Sequence, residues 1–258
     1  MDTSAGGLRV LITAGADGIG SAMASAFSRA GAAVFVCDVS SEALARFRAT
    51  CPEVDGLVAD VSIPSQVDAM VDAAVTCLGG LDVMINNAGI TGPTAKVEDI
   101  SVADWDRTIA VDISGMFYCT RRAVPLLKAA GGGSIINISS IAGRLGFPLR
   151  TPYSAAKWAV VGFTKSLAME LGPSNIRVNA IQPGVVEGDR VNRVIRAKAD
   201  ALGVSFEEYR EQFVSTISLR RMVSADDVAS MAPFLATPAG RNISGQAISV
   251  CGDHGMMA

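Results

Sequence analysis

The sequence predicts an α/β fold, a single doubly wound parallel sheet with helices packed on both faces. Strand-like apolar runs alternate with helical patterns from one end of the 258 residues to the other. The runs are continuously apolar, as strands covered on both faces are. No Pro/Gly/Ser-rich linker or internal repeat interrupts the alternation, so one domain spanning 1–258 is expected.

LRVLIT (8–13) reads as the first strand, and the glycine-rich turn behind it opens a helix from about Gly18 to Ala30. AVFVCD (33–38) precedes a helix from Ser40, and GLVAD (56–60) precedes one from Pro64. LDVMIN (81–86) is the fourth strand. A long helical stretch from about Ser101 to Ala129 then leads to SIINIS (134–139). A helix carrying Tyr153 and Lys157, the strand IRVNAI (176–181), a helix from near Ala225 and QAISVC (246–251) complete the order. Residues 185–223 break the pattern. They are polar and Arg-rich, and VNRVIRAKADALG and SFEEYREQFVSTI pattern as two amphipathic helices. Such an excursion outside the carboxyl ends of the strands is expected to form a substrate-binding lid.

Half the residues are apolar and 18% are charged, which excludes a disordered chain. A net charge of -3 without a basic block argues against nucleic acid as a partner. No apolar run reaches the ~18 residues that span a bilayer, and no secretory signal is visible. Five cysteines (Cys37, Cys51, Cys77, Cys119 and Cys251) are scattered, never in CxxC spacing. Reduced thiols in a cytoplasm are expected, with neither a disulfide framework nor a metal site. The single histidine, His254, makes a His-based triad or metal cluster improbable and reads as a surface side chain.

Ligand-type residues end four successive strands. Thr13 to Gly20, TAGADGIG, joins the first strand to the first helix. Its glycines (Gly15, Gly18, Gly20), with Thr13, Asp17 and Ile19, would bring backbone N–H groups to a pyrophosphate at a helix N-terminus. Asp38 ends the second strand twenty residues after Gly18, where a carboxylate accepts from a ribose diol. Asp60 ends the third, with Val61 placed for an adenine ring. Asn86, Asn87, Ala88 and Gly89 end the fourth. Asp38 would repel a 2′-phosphate, no base follows it, and Asp17 pushes the same way. NAD is expected rather than NADP.

The chemistry lies in SIAGRLGFPLRTPYSAAK (140–157). Tyr153 and Lys157, four residues apart, share one helix face. A neighbouring ammonium favours a phenolate, and Ser140 would hydrogen-bond the oxygen whose proton moves. These groups outline a hydride-transfer site.

Taken together, these residues resemble the short-chain dehydrogenase/reductase family, with its Rossmann-type fold, over nearly the whole chain. TAGADGIG is similar to the family's TGxxxGxG turn, NNAG matches it, and Ser140, Tyr153 and Lys157 have its catalytic spacing. Asn179, Pro183 and Gly184 in RVNAIQPG match its motif after the sixth strand. The resemblance implies Tyr153 as acid/base and Ser140 as polariser of the substrate oxygen. It implies Lys157 as the group that tunes Tyr153 and holds the nicotinamide ribose, and it leaves Ser139 structural.

Three departures stand out. Ala14 replaces the first glycine of the turn, with Gly15 expected to absorb the tight geometry. Asp112 replaces an asparagine that helps a water chain carry protons from Lys157, so it is retained as catalytic, with an altered pH dependence. Gly188 replaces a threonine that bonds the nicotinamide carboxamide, leaving that contact to backbone such as Val186.

The family position of Arg150 faces the substrate, and 3-hydroxybutyrate dehydrogenases are similar in carrying a basic residue there. Arg150 and Arg144, with Arg190, Arg193 and Arg196 opening the lid, would suit an anionic group. The competing reading pairs the lid arginines with Glu187, Glu207, Glu208 and Glu211. The resemblance also implies a homotetramer or homodimer, with the stripe Val111, Ile113, Phe117 and Val124 serving either an interface or the core. The tail, with His254, Met256 and Met257, could reach a neighbour's site. The expected function is NAD-dependent interconversion of a secondary alcohol and a ketone, on a small-molecule substrate such as a hydroxy or sugar acid. An NADPH-dependent 3-oxoacyl thioester reductase and a non-catalytic dinucleotide-binding regulator are the alternatives.

Overall fold

The structure, a computed structural model, describes residues 4–255. Met256 and Met257 lie outside the described residues. Seven strands form one parallel sheet: β1 (Arg9–Thr13), β2 (Ala33–Asp38), β3 (Asp55–Val58), β4 (Val83–Asn86), β5 (Gly133–Ile138), β6 (Ile176–Pro183) and β7 (Ala247–Val250). Their order is β3-β2-β1-β4-β5-β6-β7. The chain winds outward from β1 to β3, then returns to pair β4 with the free side of β1. That reversal opens a crevice at the carboxyl ends of β1 and β4.

The strands are apolar throughout because both faces are covered. Val10 and Ile12 of β1, Val34 and Val36 of β2, and Val83 and Ile85 of β4 face α1 (Gly18–Arg29), α2 (Ser41–Thr50) and α9 (Ala225–Ala236). The intervening Leu11, Phe35, Cys37 and Met84 face α3 (Pro64–Leu78) and α5 (Gly115–Ala129). This period-two division specifies the register, since a slip of one residue would exchange the two faces.

The expected helical stretch over 101–129 runs without a break but is not regular α-helix throughout. Ser101 caps α4 (Val102–Ile109), and a π-helical turn over Ala110–Ser114 separates it from α5. Of the apolar stripe, Val111 is buried and Val124 packs against the core, whereas Phe117 is 48% exposed. Ile113 is half-buried, so the stripe divides between the core and the surface.

After β5, α6 (Thr151–Leu171) carries the Tyr/Lys pair. Residues 185–223 contain two helices, α7 (Asp189–Leu202) and α8 (Phe206–Ser215). They have a small core of their own around Ile195, Tyr209, Phe213 and Ile217. The surface placement of His254 is overturned. It is fully buried, lies edge-on to Phe213 and hydrogen-bonds Thr216, because the tail crosses back to bridge Ile217.

Candidate active site

The strand reversal opens into a cleft of about 500 Å³ between the sheet's carboxyl edge and α7. Ser140, Tyr153 and Lys157 line it together. Ser140 leaves β5 in extended backbone, and its Oγ accepts from Ala142 N at 3.1 Å. Its own O–H is left to donate. The Ser139 hydroxyl is occupied, donating to the Lys157 carbonyl at 2.8 Å. Lys157 is buried and donates from Nζ to Ile138 O at 3.2 Å, with Nζ 5.5 Å from the Tyr153 ring centre.

Asp112, fully buried in the π turn, stands behind this group rather than in the cleft wall. Its Oδ1 accepts from Ile90 N at 2.7 Å, and its Oδ2 lies 3.3 Å from Lys157 Nζ.

At the other end, Asp17, Gly18, Ile19, Asp38, Asn87 and Gly89 line the cleft. Asp17 caps α1 by accepting from Gly18 N at 2.8 Å. Gly18 has φ +52° and only open space where a Cβ would point, so the turn leaves room for a ligand against the helix N-terminus. Asp38 is buried and accepts from Ala16 N and Ser40 N. Pro183, Gly184, Val186 and Gly188 supply the wall opposite. The donors and open turn fit a dinucleotide: α1 would hold its pyrophosphate and Asp38 a ribose diol.

Other expected residues shape this wall from behind. The Thr13 hydroxyl accepts from Asn87 N and Ala88 N, tying β1 to the segment after β4. Gly15 N donates to Cys37 O, and Gly20 lies against the Ala14 carbonyl. Asp60 accepts from the Ser62 amide and hydroxyl. Val61 turns its side chain into the core beside Gly115.

The arginines separate. Leu149, in left-handed backbone at φ 62°, turns the chain so that Arg150 enters the interior. Arg150 is 1% exposed, lines the cleft and donates from Nη2 to Thr91 O. Its Nε and Nη1 have no hydrogen-bond partner. Burial holds the guanidinium below its ordinary pKa, offset in part by Tyr153. Arg144, by contrast, points to the tail and donates to His254 O, outside the cleft lining. Arg190 and Arg193 stand at the cleft rim, whereas Arg196 lies over Phe206. Among the described residues none of the three pairs with a glutamate. Sequence reasoning missed Phe147, which lines the cleft with Arg150 and buried Lys198 over its ring, at 5.4 and 4.1 Å. The available signal was a run of apolar residues, Leu145 to Leu149, closed at each end by an arginine.

A family model described as Enoyl-(Acyl carrier protein) reductase matches residues 13–256. The chain belongs to the short-chain dehydrogenase/reductase family. It is 36% identical over 246 residues to the 3-oxoacyl-[acyl-carrier-protein] reductase FabG of Thermotoga maritima, covering 94% of this chain and 95% of that one. It is 34% identical over 251 residues to the D-beta-hydroxybutyrate dehydrogenase of Rhizobium meliloti, covering 94% and 96%. Among solved structures, an NAD+-bound xylitol dehydrogenase superposes with a TM-score of 0.91 at 28% identity, covering 96% and 98%. This chain is thus an oxidoreductase of the short-chain family acting on CH–OH groups.

Of the chain's departures from the family pattern, the turn is resolved differently from expectation. Ala14 itself takes the left-handed backbone, at φ 48°, and Gly15 does not. Gly188 caps α7 at φ 138° and offers no side chain to a ligand.

Proposed function

We propose that this chain is an NAD-dependent dehydrogenase that interconverts a ketone and a secondary alcohol bearing an anionic group, a hydroxy or sugar acid. The observation that carries the substrate class is Arg150, buried, facing the cleft and holding two nitrogens without partners. A buried donor left unsatisfied costs about 1–3 kcal/mol. A substrate carboxylate offsets that cost, whereas a neutral polyol does so poorly. The D-beta-hydroxybutyrate dehydrogenase relative, whose named substrate is a hydroxy acid, agrees.

When bound, the nicotinamide would accept or return the hydride. The chain's own residues do the rest. Tyr153 would take the hydroxyl proton from the alcohol, and Ser140 would donate its free O–H to the oxygen as negative charge grows. Lys157, held by Ile138 and Asp112, would stabilise the phenolate and hold the nicotinamide ribose. Asp38 favours NAD, because its carboxylate would repel a 2′-phosphate. The backbone at Val186 would bond the carboxamide that Gly188 cannot. Helices α7 and α8 would form the lid, with Arg190 and Arg193 at its edge. Trp158 and Phe117, both about half exposed on α6 and α5, would face a second copy in a dimer or tetramer. Five free cysteines fit a reducing cytoplasm.

A second reading, an NADPH-dependent 3-oxoacyl thioester reductase, is favoured by the match to FabG. One assay separates them: nicotinamide reduction across acid, ester and polyol alcohols with NAD and NADP, beside NADPH oxidation by an acetoacetyl thioester. The expected result is NAD-linked turnover of hydroxy acids, with KM raised at least tenfold by Arg150→Met. Equal use of acids and polyols, unaffected by that substitution, refutes the anionic substrate. Preferred turnover of the thioester with NADPH selects the second reading. Tight NAD binding without turnover of any alcohol would leave a regulator.

A further inference from the structure

The wall around the reacting groups narrows the substrate beyond its charge. Outside the dinucleotide end, the cleft is sided by Ile141 and Phe147 of the loop, Val185 behind β6, Val191 and Val194 of α7, and Phe213 of α8. Val191 and Val194, three residues apart, share one face of α7. Phe213 is held from behind, stacked on Tyr209 at 5.8 Å and edge-on to His254 at 5.4 Å. Phe147 has Lys198 over its ring. A substrate therefore meets a packed hydrocarbon surface.

Polar partners for the body of a substrate are scarce there. Asp17, Asp38 and Asn87 stand at the dinucleotide end, and the Ser139 hydroxyl is committed to Lys157 O. Glu187, Asp189, Arg190 and Arg193 are exposed at the rim. Besides Arg150 and the reacting groups, the inner lining offers the Thr91 hydroxyl and no other side-chain polar group among the described residues. A sugar acid would strip water from several hydroxyls here and regain one partner. Each hydroxyl buried without a partner weakens binding about tenfold. Each methylene buried against such a wall strengthens it about fourfold.

The two polar anchors are close together. Arg150 Cζ lies 5.2 Å from the Tyr153 ring centre and 5.4 Å from that of Phe147. A carboxylate on Arg150 and a hydroxyl at Tyr153 therefore sit on carbons a few bonds apart, with the apolar wall beginning beside both.

We propose that the substrate is a hydroxy acid with a hydrocarbon skeleton, a ring or branched chain carrying one secondary hydroxyl and one carboxylate a few carbons away, and not a sugar acid. This deepens the reading above and rests on Arg150 receiving the carboxylate. Phe147, Val191, Val194 and Phe213 enclose the skeleton and reject polyhydroxylated acids through the water those acids must give up. The chemistry is unchanged: the alcohol carbon gives its hydride to NAD and the oxygen its proton to Tyr153, leaving a keto acid.

The test compares kcat/KM with NAD for 3-hydroxycyclohexanecarboxylate, 3-hydroxy-4-methylpentanoate and gluconate, the last two equal in carbon number. The better hydrocarbon acid should exceed gluconate by at least about a hundredfold. A second readout needs no turnover: calorimetric titration of the NAD-saturated enzyme with cyclohexanecarboxylate, cyclohexanecarboxamide and gluconate. Cyclohexanecarboxylate should bind at least about tenfold tighter than gluconate. Replacing Val191 and Val194 together by threonine keeps the shape of the wall and exchanges two methyl groups for hydroxyls. That variant should lower both ratios at least about threefold, and Val194→Thr alone serves should the double variant fail to fold. Gluconate equalling the hydrocarbon acids in either readout, no binding of the ring acid, or ratios unmoved by the threonines overturns the proposal. Carboxamide binding as tight as that of the carboxylate would instead refute the anionic reading, whatever the order of the acids.

Discussion

Gly20 and Gly18 sit two residues apart in one turn, and the structure gives them different duties. A Cβ built on Gly20 would lie 2.0 Å from the Ala14 carbonyl oxygen and 2.7 Å from Asn87 Nδ2. The first neighbour is backbone and cannot swing aside. Gly20→Ala must therefore push α1 away from the turn, breaking the bonds from Asn87 Nδ2 to Thr13 O (3.0 Å) and Ala14 O (2.9 Å). Two such bonds contribute about 1 kcal/mol each. Overpacking adds about 1–3 kcal/mol, so we expect a loss near 4 kcal/mol. Gly18→Ala meets no atom within 4 Å and carries only its positive φ. It should lose about 1 kcal/mol of stability while placing a methyl group where NAD is expected. Urea unfolding reads the first effect and calorimetric NAD titration the second. If Gly20→Ala unfolds within about 0.5 kcal/mol of wild type, the close-approach argument is wrong.

Other outcomes follow from the same geometry. Ala14 holds φ 48° without being glycine, so Ala14→Gly should stabilise the fold by about 1 kcal/mol in chemical denaturation. Burial lowers Lys198 from 10.5 to about 8, so between pH 8 and 9 the unfolded chain binds its proton and the folded chain does not. Stability should then rise by about 1 kcal/mol across that unit, and Lys198→Met should flatten the rise in melting curves. Above pH 9 the rise should level off and then reverse, because burial also pushes up the Cys37 thiol, from 9.0 to about 12, and the Cys119 thiol, so both ionise first in the unfolded chain while Lys198 pulls the other way up to 10.5. Of the five thiols only Cys77 is exposed, so one equivalent should react quickly with an aromatic disulfide reagent. Rapid reaction of Cys37 or Cys119 would contradict their burial.

What could be read from the sequence was what depends on local geometry. Tyr153 and Lys157 meet because four residues make about one helical turn. Asp38, Asn87 and Pro183 gather at one cleft because all parallel strands end on the same edge. The misplacements arise where a distant segment decides. Arg144 and Arg150 share a loop, but the left-handed residue Leu149 sends Arg150 inward while the returning tail claims Arg144. His254 is buried by α8, far away in sequence. No motif marks Lys198, and only the packing of α8 and Phe147 around it makes it buried.

The π turn at Ala110–Ser114 also bears on which changes in chain length this protein tolerates. A π turn carries one residue more than a regular helix needs. Deleting one residue there would straighten the helix but rotate everything on one side by about 100° about its axis. Either Asp112 would leave Lys157, or Cys119, Ala123 and Leu127 would leave the sheet. The extra residue reconciles two demands on one rod, a polar side chain at the site and an apolar stripe under the sheet. Insertions and deletions can therefore accumulate at Gly203, between α7 and α8, but not within this turn.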